Sequence, residues 1–393
     1  MSGGLLLVVL CALAVIGPFS MDVYTPALPA LRATFGTDVA VAQATVTVCL
    51  VGIAVGQLFL GPLSDSVGRR PVLVAGTIGW TLGSAACALA PDLGVFFAGR
   101  VVEGVCGGAG IVVTRAVVSD RSTAVSLARD LSLLSAMATV FPVLAPIIGG
   151  YVAELGGWRA DFTFLVGVGV VLSLAVFFVV PETRSPSART SGGPVATLRG
   201  MAAVARRPGV TRSVVTIAGA GFAFFAYVAS STFVLQETLG VSRSLYVLVF
   251  ATNAAGAFTA SMTFRRCAHV VPVRGVAVVG AIAMTLGALT VLVAVLAGGA
   301  LAGVWVGLAL FTTGWGALLP ANNGLAQASG RDRAGATSAL TGSRQYVAGA
   351  AGAPIVGLFS GGGMLPFAAV LLAGSAFSVV AVVWPGRRPG VSS

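Results

Sequence analysis

Asp22 is the residue of this sequence whose type and surroundings most strongly suggest chemistry. It follows an apolar stretch that begins at Leu5, and it lies a few residues before Pro26 and Pro29. A carboxyl group in an apolar segment loses hydration, which favours its neutral form, so it is able to bind and release a proton. We therefore predict a proton-transfer role for Asp22. The nearby prolines leave a second interpretation open, in which Asp22 caps a helix end and stays hydrated.

Arg100 and Glu103 are a second set of ionisable residues within an apolar segment. Because they are three residues apart, their side chains share one face of a helix and are able to meet. Charges in such segments either pair with one another or act on a proton or a substrate. The spacing thus leaves two interpretations, a structural ion pair or a second proton-accepting carboxylate beside an arginine that holds an acid, a carbonyl or a substrate oxygen.

The segment 61–71, GPLSDSVGRRP, combines small residues with charged ones. Gly61 and Gly68 permit a tight turn, and Asp65 is able to accept charge-assisted hydrogen bonds. Arg69 and Arg70 suit contact with lipid headgroups. The residues alone predict a tight charged turn between two helices, and an ordinary charged hairpin has the same features.

Proline and glycine in the segment 142–150 act through the backbone. Pro142 and Pro146 remove helix hydrogen bonds and permit a bend. Gly149 and Gly150 let a neighbouring helix approach closely. The pattern predicts a bent helix with a close neighbour, and a plain closely packed helix has the same features.

Aromatic and amide side chains in the apolar segments are candidates for binding a small amphiphilic molecule. An apolar cavity with few polar groups suits such a ligand. Aromatic residues at helical spacing are also typical of a core or of a lipid-facing surface. The candidates are Tyr24, Phe225, Tyr227, Asn253, Trp315 and Tyr346.

The composition indicates which class of protein positions these residues. Of 393 residues 57% are apolar and 9% are charged, against about 25% charged in a soluble domain. A soluble enzyme, a disordered chain and a disulfide-stapled secreted module are thereby excluded. The net charge of +11 comes from arginine alone, without the aromatic-interleaved basic stripe that nucleic-acid binding favours. The five cysteines show no metal-binding spacing, and the sequence has no phosphate loop or catalytic triad. We predict a polytopic membrane protein without metal, cofactor, enzymatic activity or nucleic-acid partner.

Apolar runs predict twelve transmembrane helices of about 20 residues each. They divide the chain into an N-terminal six-helix bundle (1–181), a linker (182–212), a C-terminal six-helix bundle (213–386) and a tail (387–393). We interpret the linker as a tether whose arginines hold the topology, or as a contact for lipid headgroups. The predicted spans are 5–26, 43–63, 72–90, 95–118, 131–151, 162–181, 213–236, 245–264, 273–297, 301–321, 337–359 and 365–385.

The positions of the arginines predict the orientation. Of the 23 basic residues, all but Arg32, Arg100, Arg159 and Arg243 fall on one side of the predicted spans. Because arginine-rich loops stay in the cytoplasm, we expect the linker and both termini to be cytoplasmic. We expect the protein to lie in the inner (cytoplasmic) membrane of the cell.

Several of these segments together resemble a known family. The segment 61–71 resembles the signature that follows the second helix in the major facilitator superfamily. The segment 21–29, MDVYTPALP, is similar to the first-helix signature of the bicyclomycin-resistance (Bcr/CflA) branch of its drug:proton antiporters. At Glu103 the sequence departs from the family, which usually has Gln there. The further segments similar to this branch are 97–104 (FAGRVVEG), 145–150 (APIIGG), 231–237 (STFVLQE) and 333–340 (RAGATSAL).

This resemblance implies an all-α membrane protein with twelve transmembrane helices in two pseudo-symmetric six-helix bundles around a cavity. It implies proton-coupled export of small amphiphilic compounds, with antibiotics as the expected class, by a monomer in lipid. It assigns proton coupling to Asp22, with Arg100 and Glu103 beside it. It assigns a cytoplasmic gate to 61–71 and sealing of the cavity to 142–150. A proton-coupled importer, a dedicated metabolite exporter and a non-transporting sensor or scaffold remain alternatives.

Overall fold

The computed structural model describes residues 3–121, 124–185, 193–267, 270–330, 334–358 and 363–384. Helices are the only regular elements in these ranges, as lipid requires of a backbone that must satisfy its own hydrogen bonds. A 3-10 turn (Thr25–Ala27) lies between the first two helices, and a π-helical turn (Phe233–Thr238) follows the eighth. The helices are α1 (Gly3–Val23), α2 (Leu28–Phe35), α3 (Val39–Val67), α4 (Arg69–Ala88), α5 (Leu93–Arg121), α6 (Ala124–Val179), α7 (Gly193–Ala205), α8 (Pro208–Thr232), α9 (Arg243–Cys267), α10 (Val273–Leu296), α11 (Leu301–Ser329), α12 (Ala334–Leu358) and α13 (Met364–Val383).

Helix α6 has 56 residues, too many for one crossing of a bilayer whose apolar core is about 30 Å thick. Gly156 and Gly157 leave helical geometry, and Gly157 adopts a φ of 70° that favours glycine. The chain therefore crosses twice within α6, once on each side of this break, as the predicted spans 131–151 and 162–181 require. Pro146 is buried before the break, whereas the side chain of Pro142 lies outside the described part of the structure.

Ten helical stretches of the described residues are long and apolar enough to cross a membrane. The first of them, Gly4–Phe35, combines α1, the 3-10 turn and α2. One stretch belongs to α6, which supplies two crossings, and α12 adds the remaining one. The predicted all-helical fold with twelve membrane crossings is confirmed.

The two halves of the chain repeat one packing pattern. In the N-terminal half α5 packs on α3 and α4, while α6 packs on α1 and α4. In the C-terminal half α11 packs correspondingly on α9 and α10, while α12 and α13 pack on α8 and α13 also packs on α10. Between the halves, α3 packs on α12 and α6 packs on α9. This pattern is typical of two bundles that arose from one repeat.

The linker differs from the predicted tether because it contains a helix. Helix α7 packs on α3 and α12, and Met201 and Val204 bury their side chains against Leu340 and Leu58. The segment 200–205, GMAAVA, is apolar and is able to pack on the bundles, whereas an extended tether would leave it in water. The linker thus joins the halves by a packed helix at the end where α3 terminates.

We name the two ends of the molecule by their charge. The arginine-rich end contains the turn at 61–71 and helix α7, and the arginine-poor end contains the turns after α2, α4 and α8. Because successive spans alternate in direction, each end collects alternate connections of the chain.

Candidate functional site

Asp22 lies in the last turn of α1, near the middle of the 32-residue stretch Gly4–Phe35. At 1.5 Å per helical residue it lies roughly 20–27 Å from the two ends of that stretch. The residue is 4% exposed. Its carboxyl group is within electrostatic range of Tyr227, Tyr246 and Tyr346 of the C-terminal half. Asp22 therefore faces the region where the two halves meet, and its burial does not fit a hydrated helix cap.

Arg100 and Glu103 form an ion pair that is fully buried in the N-terminal half. The Oγ of Ser84 donates a 2.9 Å hydrogen bond to Glu103, and the Nε of Arg100 lies 3.5 Å from the Thr45 carbonyl oxygen. The Nη2 of Arg100 has no hydrogen-bond partner among the described residues. Each charge thus neutralises the other, which favours the structural interpretation of this pair, while one guanidinium nitrogen is left to donate to a further partner.

Tyr24 completes the surroundings of Arg100. Its ring centroid lies 4.6 Å from the guanidinium carbon of Arg100 and 5.2 Å from the ring centroid of Phe162. Its hydroxyl group lies 2.9 Å from the Oγ1 of Thr45. Tyr24 is the one predicted cavity residue of the N-terminal half, and its hydroxyl group and its ring both contact residues of that half.

Two stacked aromatic pairs line the interior of the C-terminal half. The rings of Trp315 and Phe224 stack with centroids 4.3 Å apart, and those of Tyr227 and Phe250 stack at 5.4 Å. The Nδ2 of Asn253 lies 3.4 Å from the Tyr227 hydroxyl oxygen. The Oδ1 of Asn253 has no partner among the described residues although it is buried. The two pairs form a flat aromatic surface, and the Asn253 acceptor beside it has no partner among the described residues.

Phe225 and Tyr346 connect this aromatic surface to the N-terminal half. Their ring centroids lie 5.4 Å apart. Tyr346 also packs against Cys49, Ile53 and Ile111, which belong to α3 and α5. The predicted cavity residues of the C-terminal half thus lie together, and Tyr346 is the one that reaches the other half.

The turn at 61–71 is held by Arg69. Gly68 has a φ of 122°, a conformation that side chains rarely adopt, and it ends α3 so that α4 begins at once. Arg69 is 5% exposed and binds Asp65 at 2.7 Å and Asp120 at 3.1 Å. Gly61, one helical turn before Asp65, lies against Val112 of α5. Arg69 therefore ties the ends of α3 and α5 together.

Glu182 extends this network beyond the predicted motif. Its carboxylate accepts hydrogen bonds from the backbone N–H groups of Arg69 and Arg70, at 3.0 and 3.3 Å. Partial burial raises the pKa of Glu182, but hydrogen bonds from Arg184, Arg69, Arg70 and Thr183 together hold that pKa below its ordinary value. The sequence did not reveal Asp120 and Glu182 as partners, because they lie far along the chain from the turn.

The segment that ends in Gly149 and Gly150 packs against both halves. Gly149 lies against the backbone carbonyl of Val23, the residue after Asp22. Gly150 lies against the side chain of Val247 on α9. The two glycines therefore bring α6 next to the proton-binding candidate on one side and to the C-terminal half on the other.

Direct polar contacts join the halves at the arginine-poor end. Four such contacts between described residues connect the region around α2 and the start of α3 with the end of α8 and its π-helical turn. They hold this end closed in the present conformation. The pairs are Thr25 with Thr232 (2.9 Å), Pro26 with Gln236 (3.2 Å), Arg32 with Glu237 (2.6 Å) and Gln43 with Ser230 (3.0 Å).

The cysteines add no reactive site. Cys11, Cys49 and Cys87 are buried, Cys106 and Cys267 are half-buried, and no disulfide bond joins any two of them. Within the ranges that the structure describes, no group of three or more His, Cys, Asp or Glu side chains is placed to hold a metal ion. The cysteines pack as small apolar side chains.

Comparisons with known proteins agree with this architecture. The family model described as Major Facilitator Superfamily matches residues 10–353. The chain is 28% identical over 348 residues to the "Uncharacterized MFS-type transporter YdgK" of Bacillus subtilis, covering 88% of this chain and 87% of the relative. It is 29% identical over 252 residues to the "Multidrug resistance protein MdtL" of Escherichia coli O45:K1, covering 64% of this chain and 63% of that relative.

Solved structures show the same fold. The xylose transporter XylE from E. coli, in a partially occluded inward-open conformation, superposes with a TM-score of 0.74 at 13% identity, over 97% of both chains. The human organic anion transporter MFSD10 gives a TM-score of 0.64 at 18% identity, over 96% of both chains. At such identities these structures inform the fold alone. With a family model that covers most of its length and the helical repeat described above, the chain belongs to the Major Facilitator Superfamily and is a multi-pass membrane transporter.

Proposed function

We propose that this transporter exports small amphiphilic compounds, antibiotics among them, in exchange for protons by alternating access. The observation that carries the proposal is the position of Asp22, a buried carboxyl group near mid-span that faces the meeting region of the halves. The partial similarity to a multidrug resistance protein supports the substrate class. The excess of arginine at one end supports an orientation in the inner membrane with that end in the cytoplasm.

Asp22 would couple the movement of protons to the movement of the compound through its charge. As a carboxylate it favours an amphiphilic or cationic compound in the central region, and protonation removes that attraction. A proton taken from outside would thus release the compound outside, and the loss of that proton to the cytoplasm would restore the site. Each proton contributes about 2.3 kcal/mol per 100 mV. One or two protons suffice for a tenfold gradient, which requires about 1.4 kcal/mol.

The aromatic surface of the C-terminal half would bind the compound itself. The stacked pair Trp315 and Phe224 offers a flat apolar contact, while Asn253 offers a buried acceptor and Tyr227 a hydroxyl group. Such a surface favours flat compounds with few polar groups over sugars, which need many hydrogen bonds. We therefore expect broad selection by shape and apolar area.

The buried pair of Arg100 and Glu103 would position the site without carrying the proton. The guanidinium group of Arg100 packs against the ring of Tyr24, which lies two residues after Asp22. The ion pair would therefore hold the backbone in place where α1 ends. The unpartnered Nη2 of Arg100 gives it a contact for a substrate oxygen when the cavity opens.

The two ends of the molecule would open in turn. At the arginine-poor end, pairs such as Arg32 with Glu237 join the halves and must break before a compound leaves. At the arginine-rich end, Arg69 holds α3, α4 and α5 as one body that moves against the C-terminal half. The chain works without a cofactor in this scheme, because the proton gradient supplies the energy.

Reconstitution into proteoliposomes tests this function. With an imposed pH gradient, addition of an amphiphilic antibiotic should collapse the gradient in vesicles that contain the wild-type protein. Uptake of a compound together with protons would indicate an importer. A response to one endogenous metabolite and to no drug would indicate a dedicated exporter, and no response to any compound would indicate a sensor or scaffold.

A further inference from the structure

Asp161 is a buried carboxyl group that the mechanism above does not use. It lies in the first turn of the α6 segment that follows the break at Gly157, and hence near the arginine-poor end. The residue is 0% exposed, and neither carboxyl oxygen has a hydrogen-bond partner among the described residues. Burial of an ionised carboxylate without hydrogen bonds costs far more than burial of the neutral acid. The present, closed conformation of this end therefore favours a protonated Asp161.

Arg243 faces Asp161 from the other half. It is the first residue of α9, which packs directly on α6, and it acts electrostatically on Asp161 without a hydrogen bond between them. Of the described residues, it is the one charged group with such an effect. The other charged groups that α6 and the helices packed on it carry toward this end are Glu154 and Arg159 of α6, Asp22 of α1, Arg32 of α2, and Arg100 and Glu103 of α5.

We propose that Asp161 is a second proton-binding site and that its protonation accompanies closure of the arginine-poor end. When this end opens, water reaches the carboxyl group, and Arg243 stabilises its charged form. When the end closes, the carboxylate loses water and takes a proton from the aqueous phase at that end onto one carboxyl oxygen, and no other bond changes. The inference rests on the proposed function, because an exporter must close this end after release.

The depth of Asp161 suits this role. Three helical residues separate it from the break, so it lies about 5 Å below the start of its helix. Asp22 lies roughly 20 Å or more from either end of its stretch. A proton from outside thus reaches Asp161 over a short path as the end closes, before it reaches the central site.

A distance measurement tests the proposal without any transported compound. Leu89 and Leu296 are exposed at the arginine-poor end, one on each half, and accept spin labels after substitution by cysteine. The half-buried Cys106 and Cys267 are replaced by alanine. Pulsed EPR of the full-length protein in lipid nanodiscs then gives the open fraction of this end against pH.

We expect the open fraction of the wild-type protein to rise with pH. Asp161→Asn should keep the end closed at every pH, since the amide stays neutral. Arg243→Gln should shift the midpoint of the opening curve to higher pH, because the Asp161 carboxylate loses its counter-charge. Since Arg243 is half-exposed, this variant should fold even if Asp161→Asn does not. Asp38→Asn, at an exposed acid of the same end, should leave the wild-type curve unchanged.

Three results would overturn the proposal. They are a wild-type protein without pH response, a wild-type curve in Asp161→Asn, and a midpoint in Arg243→Gln that stays in place or moves to lower pH. The proteoliposome assay reads the proposed function separately, because it measures proton movement that depends on the compound. A protein that closes with acid but exchanges no protons for drug would contradict the antiport function alone.

Discussion

Gly149 of α6 lies against the backbone carbonyl of Val23, which directly follows Asp22 on α1. No side chain separates the two helices at this point. The backbone of α6 therefore fixes the turn that carries the Asp22 carboxyl group, and this contact is possible because glycine has no side chain. Gly150, the next residue, lies against Val247 of the C-terminal half, so the same turn of α6 also contacts α9.

Gly149→Ala should destabilise the protein and impair transport. A methyl group there meets the Val23 carbonyl, which belongs to a helix backbone and has little room to yield. We expect a loss of about 1–3 kcal/mol, typical of overpacking, measured as a lower Tm in detergent. Gly167→Ala on the same helix is the matched control, since its methyl group meets nothing within 4 Å. Equal Tm values for the two variants would contradict the close contact.

Glu103→Gln should retain more than half of the transport activity, with a lower Tm. The amide oxygen is still able to accept the hydrogen bond from Arg100, and the amide NH2 group is able to donate to the Ser84 hydroxyl oxygen, but the charge that compensates the buried arginine is lost. Drug-dependent proton movement and thermal unfolding measure the two effects. Complete loss of transport by a folded variant would instead make Glu103 a proton-coupling carboxylate.

Glu182 should make the stability of the folded protein fall as the pH is lowered into the acid range. Its pKa in the folded protein lies below the ordinary 4.5, so it stabilises the fold fully above 4.5, and this is lost as the pH falls through the folded-state pKa. Glu182→Gln should therefore lower Tm at pH 7, and the difference should shrink below about pH 4. Glu154→Gln, at an exposed glutamate, should change Tm little at either pH. A Tm difference for Glu182→Gln that is independent of pH would exclude this assignment.

Reversal of charge should test the pair of Arg32 and Glu237 across the arginine-poor end. The side chains are about one-third exposed, so the pair contributes roughly 0.2–1 kcal/mol to closure. Arg32→Glu or Glu237→Arg alone should raise the open fraction of this end severalfold at most, by the EPR distance described above. The double reversal should restore it. A double variant as open as the single ones would show that the pair does not hold this end.

The sequence predicted what depends on local pattern and on hydrophobicity. The twelve crossings follow from apolar runs, and the turn at Gly68 follows from glycine before two arginines. Asp22 stood out because a carboxyl group lies beside an apolar run. The C-terminal aromatic candidates lie together because α8, α11 and α12 present them to the interior of that half, and the sequence alone does not show this common surface.

What the sequence did not reveal depends on contacts between distant residues or on exact helix boundaries. The prediction began the sixth span at residue 162, so Asp161 counted as part of a loop, whereas the helix already runs from the break at Gly157. Glu182 and Asp120 become partners of Arg69 only when three helix ends converge. Helix α7 was missed because the six arginines of the linker 182–212 outweighed its short apolar segment.

Replacement of Asp22 by asparagine tests the central claim most directly. Purified Asp22→Asn protein, in proteoliposomes with an imposed pH gradient, is compared with wild type and with Asp38→Asn, which alters an exposed acid. We predict that Asp38→Asn dissipates the gradient on addition of drug as the wild type does, and that folded Asp22→Asn does not. Drug-driven proton movement by Asp22→Asn at the wild-type rate would contradict the account.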